Sequence, residues 1–155
     1  NLDLYQVNCT FYDAMGRDDR AYLAARAIQF FTPGIPQVYY VGALAGENDV
    51  ELLRRTGVGR DINRHHYTET ELSEALERPV VTALFALCAL RTGMGVFDGE
   101  FAHSLDDGVL TMTWRDGPDE ARLTVDLLTH HTSLSWRWMG RDGSTDDLLA
   151  DPPRP

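Results

Sequence analysis

The run Pro33-Gly34-Ile35-Pro36-Gln37-Val38-Tyr39-Tyr40-Val41-Gly42 decides how the first half of the chain is read. From Ile35 to Val41 the apolar side chains leave little polar alternation, the pattern of a strand covered on both faces. Pro36 is tolerable near the start of such a strand. Just upstream, Leu23, Ala27, Phe30 and Phe31 recur at i, i+4, i+7 and i+8, the stripe of a helix packed on a core. Asp18 supplies its N-cap and Pro33-Gly34 stops it. A helix, a tight turn and a buried strand make half of a βαβ unit, so an α/β fold with a parallel sheet is expected here. Further back, Thr10 to Met15 reads as a short helical turn ended by Gly16.

Downstream of Gly42 a long connection runs to Thr68, with a helical turn at Asp49 to Arg55 whose Val50, Leu53 and Leu52 are expected to pack inward. Connections longer than about a dozen residues are usually functional or disordered. This one carries aromatic residues and paired charges, not the composition of disorder, so an ordered binding loop is expected. Its densest part is Gly57-Val58-Gly59-Arg60-Asp61-Ile62-Asn63-Arg64-His65-His66-Tyr67. A guanidinium fork fits carboxylate, phosphate or vicinal hydroxyl geometry, so Arg60 and Arg64 suit an oxygen-rich ligand. Thr68-Glu69-Thr70-Glu71 has capping-box spacing and opens a short helix with Leu72, Ala75 and Leu76 as its apolar residues. Pro79 opens a second helix at N1; Val80, Ala83, Leu84, Leu87 and Cys88 form its stripe, Val81 and Phe85 widen it, and Gly93 closes it.

After Gly99 the period changes from helical to alternating. Leu110, Met112 and Trp114 face one way, and the pattern repeats in Ala121, Leu123 and Val125 and in Leu134, Trp136 and Trp138. Asp106-Asp107-Gly108 and Asp116-Gly117-Pro118 supply turns. A small antiparallel sheet is expected, as a separate module beginning near Gly93, which divides the chain into 1–92 and 93–155. The tail from Asp142 to Pro155 is acidic and proline-rich and is expected to lie extended on the surface.

Composition excludes several classes. The chain has 155 residues, is 43% apolar and carries a formal charge of −10. That charge argues against nucleic acid as a partner, because phosphate binding needs a basic face. There is no apolar run of about 18 residues, so no membrane-spanning segment is expected. Cys9 and Cys88 lie far apart in apolar surroundings and read as reduced thiols, which favours a cytoplasmic location. The chain opens abruptly in a patterned segment with asparagine, as expected of a cut through a longer protein. His65-His66 and His130-His131 lack metal-ligand spacing, and Asp106-Asp107 and Asp146-Asp147 lack that of a calcium loop. No cofactor or metal is expected. The three tryptophans fit an inter-layer core better than a sugar-stacking platform. Neither a phosphate-binding glycine loop nor a nucleophile elbow is present, so the residues alone leave a binding loop with an unassigned ligand.

A resemblance adds to this reading. Asn1-Leu2-Asp3-Leu4-Tyr5-Gln6-Val7-Asn8, Ala27-Ile28-Gln29-Phe30-Phe31, Pro33 to Gly42, Leu44-Ala45-Gly46-Glu47-Asn48-Asp49, Gly59-Arg60-Asp61-Ile62-Asn63-Arg64-His65, Arg78-Pro79-Val80-Val81 and Asp146-Asp147-Leu148 closely resemble the C-terminal third of sucrose phosphorylases, within the α-amylase superfamily. The resemblance implies the C-terminal end of a (β/α)8 barrel, its last one or two βα units, followed by a small antiparallel β domain. A whole barrel takes about 250 residues, so this chain could hold only part of one.

It further implies a retaining double displacement: sucrose is cleaved, fructose leaves, and phosphate releases α-D-glucose 1-phosphate. Retention uses two carboxylates about 5 Å apart. In the family these groups lie upstream of the matched segment, so no catalytic residue is expected here and this chain alone is expected to be inactive. The matched positions are substrate-binding ones: Arg60, toward the glucosyl unit, and Asp3, Leu4, Tyr5 and Gln6, on a mobile loop lining the acceptor site. The charge of Asp3 would repel phosphate, which fits a loop that moves between half-reactions. Sister phosphorylases acting on sucrose 6'-phosphate or glucosylglycerate are the nearest alternatives, and a non-catalytic carbohydrate-contacting module is the alternative of another class. The family commonly has tyrosine where His66 stands. Exposed barrel-facing apolar surface makes poor solubility of the isolated chain an expectation.

Overall fold

The computed structural model describes residues 7–154. Helix α1 (Phe11–Ala14) is capped by Thr10 and α2 (Asp19–Phe31) by Asp18, whose carboxylate accepts from the Ala21 N–H. After α2 come a helical turn α3 (Tyr40–Ala43) and α4 (Val50–Thr56), the latter capped by Asp49 and closed by Gly57 in the left-handed conformation. A 3-10 turn (Gly59–Asn63) leads to α5 (Glu69–Glu77), which opens with the expected reciprocal capping box of Thr68 and Glu71. Helix α6 (Pro79–Gly93) carries proline in its first turn, where the missing N–H would have had no partner. A second 3-10 turn (Gly95–Asp98) enters the sheet.

The sheet is an antiparallel meander of β1 (Glu100–Asp106), β2 (Val109–Asp116), β3 (Asp119–Asp126), β4 (Thr132–Trp138) and β5 (Arg141–Thr145), in that spatial order. Its register sets Met112 opposite Leu123 and Trp114 opposite Ala121, with Leu123 opposite Leu134 and Ala121 opposite Trp136, so the expected apolar alternation lines one face. That face packs on α2 and the second 3-10 turn. Trp114 Nε1 donates to the carbonyl of Phe31 at 2.7 Å, satisfying one of the orphan acceptors at the end of α2. Phe31 and Phe97 meet edge to face at 5.3 Å. On the other side of α2, Val80, Leu84 and Leu87 of α6 complete one continuous core with the sheet. Each such fully buried side chain stabilises the fold by about 1.5–3 kcal/mol. Arg91 of α6 stacks over Phe97 at 4.2 Å and donates to the Gly34 carbonyl at 2.8 Å, pinning the turn after α2.

Several expectations are corrected. Residues 35–39 join no strand, and Tyr40–Ala43 is helical. A strand needs a neighbour to satisfy its N–H and C=O groups, and the only sheet among the described residues is the antiparallel one. The expected parallel strand at 35–41 is therefore not formed among the described residues, which place helices on one face of an antiparallel sheet. The tail is not loose: Arg141–Thr145 pairs with β4, the Leu148 N–H donates to Thr132 O at 2.9 Å, and Leu148 is fully buried. Arg20 binds Asp147 at 2.7 Å. In α4 Leu52 is buried and Leu53 half-buried, as expected, while Val50 is exposed; Phe85, Leu72 and Leu76 are exposed as well.

Candidate functional site

The connection between α3 and α5 is built on side-chain caps. Asn48 and Asp13 tie it to α1: the Asn48 N–H donates to Asp13 Oδ2, and the Thr10 N–H to Asn48 Oδ1, each at 2.6 Å. Burial alone would raise the Asp13 pKa, but the Asn48 N–H and Arg17 outweigh it and hold the carboxyl below the usual range. Asp49 accepts from the Leu52 N–H through Oδ1 at 2.7 Å and lies 2.7 Å from His65 Nδ1 through Oδ2. The Leu52 N–H and then His65 depress the pKa of Asp49, so it is an acceptor and the His65 Nδ1–H is the donor. Glu71, likewise depressed by the N–H and O–H of Thr68, lies 3.5 Å from His65 Nε2. The rings of His65 and Tyr67 meet edge to face at 4.7 Å, and Tyr40 donates to the His65 carbonyl at 2.8 Å. An open cleft of about 680 Å³ runs beside these groups, bounded also by Arg55 and Arg78.

Arg60 sits on the 3-10 turn Gly59–Asn63 and is exposed. Among the described residues it has no hydrogen-bonding or ion-pair partner, so its guanidinium is offered to solvent or ligand. Gly59 lies close beside Asn8: a Cβ there would come 2.9 Å from Asn8 Oδ1. The structure thus brings Arg60's turn against Asn8, two residues after Gln6. Asp3, Leu4, Tyr5 and Gln6 themselves lie outside the described residues. Arg64, the other arginine of the loop, lies 3.9 Å from Asp61.

Asp49 and Glu71 are committed to helix caps, which leaves neither free as a nucleophile. Among the described residues no group of three or more His, Cys, Asp or Glu could hold a metal ion. No described helix is long and apolar enough to cross a membrane. Sequence reasoning missed the Asp49–His65–Glu71 constellation. Its signal was present in two helix caps, Asp49 and the Thr68-Glu71 box, flanking one histidine.

Residues 96–153 match the family described as sucrose phosphorylase, C-terminal. A sucrose phosphorylase of Bifidobacterium adolescentis is 52% identical over 99% of this chain, and one of Agrobacterium vitis is 58% identical over 81%. The chain belongs to the sucrose phosphorylase family. It spans 32% and 26% of the length of those two relatives. Among solved structures, sucrose 6F-phosphate phosphorylase from Thermoanaerobacter thermosaccharolyticum matches with a TM-score of 0.85 and 44% identity, covering 90% of this chain and 29% of its own. The five-stranded sheet is this family's C-terminal domain. Within the family, the cap-rich connection that carries Arg60 lies outside that domain, upstream of residue 96.

Proposed function

We propose that this chain supplies the substrate-binding end of a sucrose phosphorylase, which reversibly converts sucrose and phosphate into α-D-glucose 1-phosphate and fructose by a retaining double displacement. The observation that carries this reading is the match across 99% of the chain to a sucrose phosphorylase, with an exposed, unengaged arginine at Arg60. In this reading Arg60 hydrogen-bonds glucosyl hydroxyls through its fork, and Asp3, Leu4, Tyr5 and Gln6 line the site of fructose and phosphate. The nucleophile and acid/base come from a part of the enzyme outside this chain. No metal or cofactor is needed beyond substrate phosphate, and a cytoplasmic location fits the two free thiols.

Residues 1–92 then belong to a (β/α)8 barrel and 93–155 to its end domain. Support comes from residues 35–39, which join no sheet although Tyr39 has extended backbone angles, with φ −71° and ψ 150°. Ile35 is 91% exposed and Tyr39 56%, as expected of a barrel strand whose neighbours are supplied from elsewhere.

The test is Arg60→Ala in a phosphorylase-length protein carrying this segment. A charge-assisted hydrogen bond contributes about 1.5–3 kcal/mol, so kcat/KM for sucrose should fall roughly ten- to a hundredfold or more. An unchanged kcat/KM refutes the assignment. A second reading, phosphorolysis of sucrose 6'-phosphate, is favoured by the fold match at 44% identity. Turnover of sucrose compared with its 6'-phosphate separates the two, and the better substrate names the enzyme.

A further inference from the structure

A 3-10 turn is poorly held by its own hydrogen bonds, and the one carrying Arg60 has no side-chain cap at its start. An arginine that must meet a ligand in a fixed place needs that turn anchored from outside. The anchor runs through Asp49. Its backbone N–H donates to the carbonyl of Ile62, two residues beyond Arg60, at 2.7 Å. Its carboxylate binds both the first turn of α4, at Leu52 N, and His65 Nδ1, each at 2.7 Å. His65 therefore closes the connection on itself: the residue that grips the turn from one side is bonded to the residue that leaves it on the other. Two further contacts fix the histidine. Its carbonyl accepts from Tyr40 at 2.8 Å, and its Nε2 faces Glu71, whose second oxygen is engaged by the N–H and O–H of Thr68 at 2.7 and 2.8 Å.

We propose that Asp49 and His65 are positioning residues for Arg60: their hydrogen bond locks the 49–65 loop and so sets where the guanidinium meets the glucosyl unit. The pair touches no substrate in this scheme and acts only through the arginine. This rests on the reading that Arg60 binds the glucosyl unit. A misplacement of about 1 Å at a binding group can cost on the order of a hundredfold in rate, so a loosened loop has a measurable consequence.

The experiment is a double-mutant cycle on His65 and Arg60 in the phosphorylase-length protein, read as kcat/KM for sucrose. His65→Ala is expected to lower it about tenfold, equivalent to about 1.4 kcal/mol. In the Arg60→Ala background the same change should cost less than about twofold, because the residue it positions is gone. His65→Asn places an amide N–H where Nδ1 stood and should recover most of the loss. His65→Gln reaches the Glu71 side instead and should not recover it. Fully additive losses, or an unaltered His65→Ala enzyme, overturn the positioning role while leaving Arg60's own role intact. An unaltered Arg60→Ala enzyme overturns the functional reading and the positioning role with it. If the alanine variant fails to fold, the Asn and Gln variants carry the comparison, and equal activity in both overturns the proposal.

Discussion

Truncating Leu148 tests whether the last residues of the chain belong to the core. The side chain is fully buried in the same cluster as Leu23 and Leu134, and its N–H is bonded to Thr132 O at 2.9 Å. Leu148→Ala removes three carbons, and at about 0.8 kcal/mol per buried methylene the transfer loss is about 2.4 kcal/mol. Core Leu→Ala changes span about 2–5 kcal/mol according to how far the cavity collapses. The short segment after β5 is freer to settle than the middle of a helix, which places the expectation near the lower end, about 2.5 kcal/mol. For a chain of this size that is a fall in Tm of roughly 5–10 °C. The assay is urea unfolding followed by tryptophan fluorescence, because all three tryptophans lie in the sheet that Leu148 covers. The control is Leu128→Ala, at 88% exposure, expected to shift stability by less than about 0.5 kcal/mol. Equal midpoints for the two variants would refute the docked tail.

Other outcomes follow from the same geometry. Trp114→Phe keeps an aromatic ring but strips the donor from the Phe31 carbonyl, and an unsatisfied buried acceptor costs about 1–3 kcal/mol. Its urea midpoint should therefore fall by the equivalent of at least about 1 kcal/mol, and an unchanged midpoint would show that the bond contributes nothing. Asp49, Asp13 and Asp147 all have folded-state pKa values lowered from the usual one, the last chiefly by its bond from Arg20. The unfolded chain then binds more protons in acid, so this stabilisation is complete above an unfolded pKa of about 3.9 and is lost as pH falls through the lower folded values. Urea midpoints should stay level from pH 7 to about 5 and drop below about 4; a level profile down to pH 3 would contradict the assigned partners.

Exposed apolar residues show where local pattern and tertiary context part. Phe85 extends the apolar stripe of α6 and Leu72 and Leu76 that of α5, yet all three face solvent. Periodicity records that a side chain suits burial and does not say which element covers it. Arg60 was legible as a candidate binding residue from its type and surroundings, because a loop arginine that follows Gly57 and Gly59 carries its chemistry with it. The Asp49–His65 bond was not legible, since the two residues are far apart in the chain and only the fold of the connection makes them neighbours.

The chain's own residues determined whatever rests on contacts between near neighbours. Asp18, Asp49 and Thr68 with Glu71 each open a helix through bonds spanning a single turn, and Pro79 opens another because its fixed φ suits the first turn. The alternation in β2, β3 and β4 and the Asp107-Gly108 turn, with φ of 45° and 78°, specified the hairpins in the same local way. Tertiary structure decided the rest. Residues 35–41 carry the composition of a buried strand but do not form one here, because a strand exists only when another supplies its hydrogen bonds. Strand β5 forms although its turn, Met139-Gly140, puts methionine at a φ of 52° where turn-favouring residues are usual. Ladder bonds to β4 and the burial of Leu148 outweigh that local preference, and both arise between residues that meet only after the chain has folded.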